Sequence, residues 1–158
     1  MSDPTQAKAD IVGFSNEYSS TVRSWMDSEE TYRNVCQGQQ FPPPDNIVES
    51  WQRSNVVSYL LFTENRPVAY AELWNRPQEM AVEIAHLLVD PFQRSKGFGT
   101  KMLQLLYDRA SQRRDVSQVL ANLQTDDEDV LSCFLNAGFE LVGTSPHTLG
   151  LRVIRFVK

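Results

Sequence analysis

The sequence predicts one α/β domain, and three observations carry that expectation. A chain of 158 residues that is 41% hydrophobic is long enough to bury one ordinary core and needs no second domain. Through its second half, runs rich in β-branched and aromatic residues alternate with amphipathic stretches at helical spacing. Finally, a strand-like run, AVEIAHLLVDP, feeds directly into QRSKGFGT at residues 93–100, where a helical stretch opens.

From Ile11 to Arg53 the chain is polar with scattered aromatics, and short helices fit it best. Ser28-Glu29-Glu30 supplies a helix start, and Asp45 a cap for a helix through Ile47, Val48 and Trp51. Between them lies Phe41-Pro42-Pro43-Pro44-Asp45, whose prolines fix φ and favour extended geometry. It is expected to be a stiff spacer between helices, with a substrate-gripping lid as the alternative. A hairpin follows, Val56 to Thr63 and Val68 to Trp74, around Glu64-Asn65-Arg66-Pro67. Met80 to Val89 is a third strand. The helix after the glycines runs from about Gly99 to Arg113, with an apolar stripe of Met102, Leu103, Leu106 and Ala110. Arg113 and Arg114 suit its negative end. Ser117 to Leu123 is a strand, and Thr125-x-x-Glu128 has capping-box spacing before Val130, Leu131, Phe134 and Leu135 on a buried helix side. Gly138 closes that helix. Phe139 to Gly143 and Leu151 to Val157 are the last strands, joined through Ser145-Pro146-His147.

At the junction between the third strand and its helix, Arg94-x-x-Gly97-x-Gly99 reads as a phosphate cradle. Two glycines two apart let the backbone approach an anion with no Cβ in the way. A helix opening near Gly97 adds unpaired N–H groups and the positive end of its dipole. Arg94 and Lys96 add positive charge. A dinucleotide fingerprint needs a third glycine where Met102 stands, and the P-loop order appears inverted as Gly99-Thr100-Lys101, so neither pattern is met. The plain alternative is a helix N-terminus with a flexible entry.

The net charge of −5 argues against a nucleic-acid partner and suits cationic amine substrates. Two cysteines, Cys36 and Cys133, make no disulfide framework, and no apolar run reaches the ~18 residues that span a membrane. The amino terminus, MSDPTQAKAD, lacks a signal-peptide core. The expectation is a soluble cytoplasmic protein with no membrane partner and no metal, its oligomeric state open and a homodimer included.

Val89-Asp90-Pro91-Phe92-Gln93-Arg94-Ser95-Lys96-Gly97-Phe98-Gly99 fills every position of the pattern V-x-P-x-x-[QR]-x-x-G-x-[GA]. With its preceding strand, the stretch from Val82 to Thr100 resembles motif A of the GNAT acetyltransferases. Downstream, VLANLQTDDEDVLSCFLNAGFELVG is similar to that family's motif B, a strand, a helix and a Gly-Phe opening the next strand. The resemblance covers at least residues 68–158. It implies one GNAT-like domain over 1–158: a mixed, mostly antiparallel central sheet flanked by helices, with splayed strands forming a CoA cleft. Residues 1–55 would form a helical acceptor side and 80–145 the acetyl-CoA-binding core. The implied activity is transfer of acetyl from acetyl-CoA, as co-substrate, to a primary amine of a small molecule, amino acid or peptide. A catalytically silent CoA-binding module is the alternative.

The resemblance also implies a site. The backbone of Leu87, Leu88 and Val89 would pair with the pantetheine arm, and the Leu87 or Val89 amide would face the thioester oxygen. Arg94, Ser95, Lys96, Gly97, Phe98, Gly99 and Thr100 would hold the pyrophosphate, with Asp127 and Phe134 against the cofactor from motif B. Two positions depart from the family. Its usual asparagine is Asp127, and the tyrosine that often protonates the departing thiolate is Phe134, so no phenol stands there. Cys133, on a helix that turns it away, is a poor substitute.

A lysine-type amine, with pKa near ~10.4, is protonated at neutral pH, and removing its proton costs about 4.6 kcal/mol. A base must help. Glu83 stands eleven residues before Arg94, the spacing at which histone-acetylating members of the family carry their glutamate base. It lies in an apolar strand, where burial would raise its pKa toward the working range. Its alternative role is structural. His86 is the competing base, but alternation puts it on the opposite face from Glu83 unless a bulge intervenes, and packing between strand and helix is its expected role. His147 is expected to be solvated. In an acetyltransferase Trp25, Tyr32, Phe41 and Trp74 would be the aromatics to shape the acceptor pocket, although for each singly core packing is the commoner role.

Overall fold

The computed structural model describes residues 8–36, 40–124, 127–144 and 150–157. Its elements run β1 (Ala9–Gly13), α1 (Ser19–Ser24), α2 (Glu29–Cys36), α3 (Ile47–Ser50), β2 (Val56–Thr63), β3 (Arg66–Arg76), β4 (Ala81–Val89), α4 (Phe98–Ser111), β5 (Gln118–Leu123), α5 (Glu128–Asn136), β6 (Glu140–Thr144) and β7 (Leu151–Phe156). The strands form one seven-stranded sheet in the order β1-β2-β3-β4-β5-β7-β6. Every neighbouring pair is antiparallel except β4 and β5, which the α4 crossover joins in parallel.

Local chemistry accounts for the boundaries. Glu64 and Asn65 take φ of 52° and 64° in the two-residue turn between β2 and β3, where left-handed residues match the strands' twist. Ser28 Oγ accepts the Thr31 amide at the start of α2. At the end of α5, the Phe139 amide reaches the Phe134 carbonyl and the Gly138 amide reaches Leu135, a Schellman closure that Gly138 permits at φ 96°.

The helices sit on both faces of the sheet and divide the core in two. Met102, Leu103, Leu106 and Ala110 of α4 pack with Phe134 of α5 against Val68, Val82, Val119 and Val153. On the opposite face Val22, Trp25, Met26, Tyr32, Val48 and Trp51 from α1 to α3 cover Leu60, Tyr70 and Leu88.

Three details differ from the sequence expectations. A strand, β1, opens the chain, its Ala9 and Ile11 packing on the sheet; five residues with two modest apolar side chains give a weak periodic signal. Asp45 caps nothing: Asn46 precedes α3 without a side-chain cap, and Asp45 instead pairs with Arg23 at 3.3 Å. Asp127 caps α5, a role not expected of it, its Oδ1 accepting the Val130 amide at 3.3 Å. Thr125 and the Ser145-Pro146-His147 connection lie outside the described residues. Among the described residues no helix is long and apolar enough to cross a membrane, and no group of three His, Cys, Asp or Glu is placed to hold a metal ion.

Candidate active site

The site starts where two strands part. β4 and β5 pair at Ala81–Gln118, Val82–Val119 and Glu83–Leu120, and there the ladder stops, six residues before β4 ends at Val89. Just beyond the split, β3 passes from Tyr70 to Glu72 while β4 passes from Leu88 to Ala85, two steps against three. That extra residue is a bulge, with His86 at φ 52°. Splay and bulge together leave the β4 edge at Leu87, Leu88 and Val89 facing an opening rather than a strand.

The bulge also rearranges side chains. Glu83 opposes Trp74, Ala85 opposes Glu72 and Leu88 opposes Tyr70, so all six share one sheet face. His86, expected opposite Glu83 by plain alternation, is turned onto that same face and reaches Glu72.

Beyond Val89 the chain makes the expected turn. Asp90 Oδ1 accepts the Phe92 amide at 3.0 Å, and Ser95 and Gly97 take φ of 64° and 86°. Gly97 is the residue before α4, and Phe98 begins the helix. A Cβ at Gly99 would meet Cys133 Sγ at 2.9 Å and Val89 Cγ2 at 3.5 Å, so its bareness lets α4 close against α5 and β4. The two cations of the turn have light engagements: Arg94 Nη2 lies 3.7 Å from Asp27, and Lys96 Nζ donates to Gln93 at 3.0 Å. The Arg94–Asp27 pair is about half exposed and holds little energy, so an anion can displace it. Thr100 hydrogen-bonds the Cys133 thiol, whose pKa is nonetheless pushed up, by burial above all.

A small cleft beside the open edge is lined by His86 and Leu87 of β4, Asn122 of β5, Asp127 just before α5, and Val130 and Phe134 of α5. Phe134 is buried there, its ring edge-on to Phe139 at 5.1 Å. On the α1–α3 face lies a larger cleft of about 700 Å³, whose walls include Tyr32, Phe41, Trp51, Arg53, Trp74 and His86. Trp25, expected to shape a pocket, is instead buried in the core beneath it. The proline connector is more than a spacer, since Pro42 and Pro44 form part of the cleft wall while Arg23 ties down the carbonyls of Pro43 and Pro44. Among the described residues lining this cleft there is a cation, Arg53, and no carboxylate.

Two glutamates occupy the shared face. Glu83 is buried, and its Oε1 accepts both Nε and Nη2 of Arg76 at 3.0 and 2.7 Å. Glu72 is fully buried and more completely engaged. Its Oε1 accepts Trp74 Nε1 at 2.7 Å and stands 2.9 Å from His86 Nδ1, while its Oε2 accepts the Tyr70 hydroxyl. Burial, with Glu72's charge second, holds the Tyr70 phenol pKa far above its ordinary value, so Tyr70 stays a donor. Gln52 and Ser58 complete this network on the Tyr70 oxygen. His86 stacks on Trp51, centroids 4.2 Å apart, with Trp74 edge-on at 5.5 Å. Glu83 and His86 were legible in the sequence as candidate bases, whereas no site role was visible there for Glu72, Arg76 or Arg53. Glu72 carried the same signal as Glu83, a carboxylate inside the apolar strand VAYAELW.

The sheet parts just before a bulge, and β4 then runs through a left-handed turn into a helix. A family model described as "Acetyltransferase (GNAT) family" matches residues 20–139, and the chain belongs to that family. It is 23% identical over 136 residues to an aminoglycoside N(6')-acetyltransferase type 1 from Klebsiella pneumoniae, a match covering 79% of this chain and 66% of the relative. The chain thus spans just under two thirds of the length of the curated relatives it matches. Among solved structures, it is similar to AAC(6')-Ib in complex with ribostamycin and coenzyme A, with a TM-score of 0.80, 17% identity and coverage of 94% and 93% of the two chains. It is also similar to the spermidine N-acetyltransferase from Vibrio cholerae in complex with CoA and spermine, with a TM-score of 0.76, 8% identity and coverage of 94% and 95%. These likenesses are of fold.

Proposed function

We propose that the protein is an acetyl-CoA-dependent N-acetyltransferase that moves the acetyl group to a primary amine by direct attack. The observation that carries this reading is the open β4 edge at Leu87 to Val89, which lies between a left-handed turn at a helix N-terminus and an aromatic cleft. The residues present fit a CoA thioester. The edge can pair with pantetheine amides as a strand would, and the amides of residues 95–99 with the α4 dipole suit a pyrophosphate. Arg94, Lys96 and Thr100 can reach it from the rim, and Phe98, buried, anchors the turn. Asp127 and Phe134 close the far side, Asp127 chiefly as the cap of α5. An amide of Leu87 or Val89 facing the thioester oxygen would stabilise the charge that develops on attack. Residues 80–145 then hold the cofactor, and the segment up to about residue 55 builds the acceptor side of a cytoplasmic enzyme.

The acceptor proton needs a group on the face that Glu83 and His86 share. Glu83 serves as base in this reading only if Arg76 releases it or leaves Oε2 to the amine. The aromatic walls and Arg53 favour an amine with a flat or apolar body, while a polycation such as the aminoglycosides of the relatives finds no lining carboxylate among the described residues. A panel of arylalkylamines, amino acids, polyamines and aminoglycosides, followed by release of free CoA thiol, tests this. Thiol release with arylalkylamines above that with aminoglycosides is expected; the reverse order overturns the acceptor assignment. A second reading, a silent CoA-binding module, is favoured by Phe134, which offers the thiolate no proton. CoA binding without turnover on any amine would support it.

A further inference from the structure

We propose that the proton acceptor for the incoming amine is His86 Nε2, with Glu72 as the positioning residue that fixes the imidazole's tautomer. This rests on the acetyltransferase reading above and specifies the base within it.

Glu72 is a costly side chain to bury. It is a carboxylate with no exposure, held inside an otherwise apolar strand. Three donors converge on it, from Tyr70, Trp74 and His86, and such a network is costly unless it serves an arrangement that apolar residues could not provide. A carboxylate only accepts, so His86 must present Nδ1–H to it. In neutral imidazole the lone pair is then on Nε2. Among the described residues no protein group hydrogen-bonds Nε2.

Position agrees with protonation. His86 is the bulge residue itself, φ 52°, at the point where the β4 edge opens. Its ring lines both the aromatic cleft and the small cleft beside Leu87, Asp127 and Phe134, so it stands where an amine from one side would meet a thioester on the other. Trp51 stacked on one face and Trp74 edge-on hold the ring in a single orientation. Glu83, by contrast, gives Oε1 to both arms of Arg76. The charged and titratable groups around His86 are Glu72 and Tyr70 from β3, Tyr32 and Cys36 from α2, Arg53 after α3, Asp127 at the start of α5, and the Glu83–Arg76 pair on the same face.

The step balances simply. Nε2 takes one proton from the ammonium, the freed nitrogen lone pair attacks the acetyl carbonyl carbon, and the C–S bond breaks. The second nitrogen proton goes to the departing thiolate, and His86 returns the first to solvent. Acetyl-CoA and the ammonium become amide, CoA thiol and one released proton.

The test uses Glu72→Met and His86→Asn, the latter because asparagine tolerates left-handed φ and keeps the bulge. Nitrogen-15 spectra of the free protein read the tautomer directly, since His147 is the other histidine and is removed by His147→Gln. Wild type should show Nδ1–H, and Glu72→Met should shift it toward Nε2–H because Nδ1 is left with no carboxylate to donate to. With the best amine, each variant should lower kcat by at least ~10²-fold at pH 7 while the KM for acetyl-CoA stays within a few-fold, and the double variant should be no worse than the singles. His86→Asn should also remove the acidic limb of the pH–rate profile. An Nε2–H tautomer in wild type, or the same tautomer with and without Glu72, overturns the dyad whether or not any amine is acetylated. If His86→Asn keeps kcat and the acidic limb while Glu83→Gln loses both, the base is Glu83 and acetyl transfer itself still stands.

Discussion

At residue scale, Gly97 and Gly99 perform separate tasks. Gly97 takes φ 86° ahead of α4, where a Cβ costs roughly 1–2 kcal/mol and would re-aim the amides of the turn. Gly97→Ala should therefore weaken CoA binding at least ~10-fold by calorimetry, with a modest loss of stability. Gly99→Ala must push aside Cys133 Sγ, 2.9 Å from the new methyl, so Cys133→Ala in the same chain should restore both Tm and affinity. No rescue by Cys133→Ala would mean that the space at Gly99 belongs to the ligand after all. Tyr70 makes a prediction about pH. Its folded pKa is raised, by burial first and Glu72 second, so its stabilising effect is whole below the ordinary tyrosine value of about 10 and is withdrawn as pH rises above it. Urea unfolding between pH 7 and 11 should show a steep alkaline loss in wild type and a flatter limb in Tyr70→Phe; parallel limbs would contradict the assignment.

At the scale of elements, the decisive feature is the end of β4. Its pairing with β5 stops at Glu83, and the bulge at His86 turns the remaining edge toward the opening. In hydrogen exchange, the amides of residues 87–89 that face the opening should exchange quickly in the free protein and slow by at least ~10-fold with CoA, while Ala81 to Glu83 change little. Equal behaviour of the two ends of β4 would remove the edge as a binding surface. The strand and its helix were legible in the sequence because AVEIAHLLV and the α4 stripe have clean periods and the turn has its glycines. The bulge was not, because no glycine or proline marks it; pairing with β3 imposes it, and only the register Tyr70–Leu88 against Glu72–Ala85 reveals it. With the bulge hidden, His86 fell on the wrong face, and Glu72, on a different strand, had no visible partner.

At the scale of the whole molecule, the sheet divides labour between its faces. One face packs α4 and α5 into a core that ends in the turn, and the other packs α1 to α3 over Tyr70 and Leu88 while leaving an aromatic cleft. The half that holds β4, its turn and α4 was legible because it is contiguous and patterned. The aromatic cleft was not, because its walls come from α2, the proline connector, α3 and β3, and their convergence follows from tertiary packing rather than from spacing. Arg53 flanks Trp74 at 5.4 Å and is a cation lining that cleft. If the amine carries a carboxylate, Arg53→Ala should raise its KM by about 10-fold or more and leave the KM of a neutral arylalkylamine nearly unchanged; equal effects on both would rule out an anion contact there.

If the parted β4 edge presents acetyl-CoA to an amine lying in the aromatic cleft, mixing the protein with acetyl-CoA and an arylalkylamine should yield free thiol and N-acetylated amine one for one. Both should be lost when an equal concentration of Gly97→Ala replaces the wild type. CoA bound tightly by calorimetry, with no thiol released above the acetyl-CoA blank for any amine of the panel, would rule that presentation out.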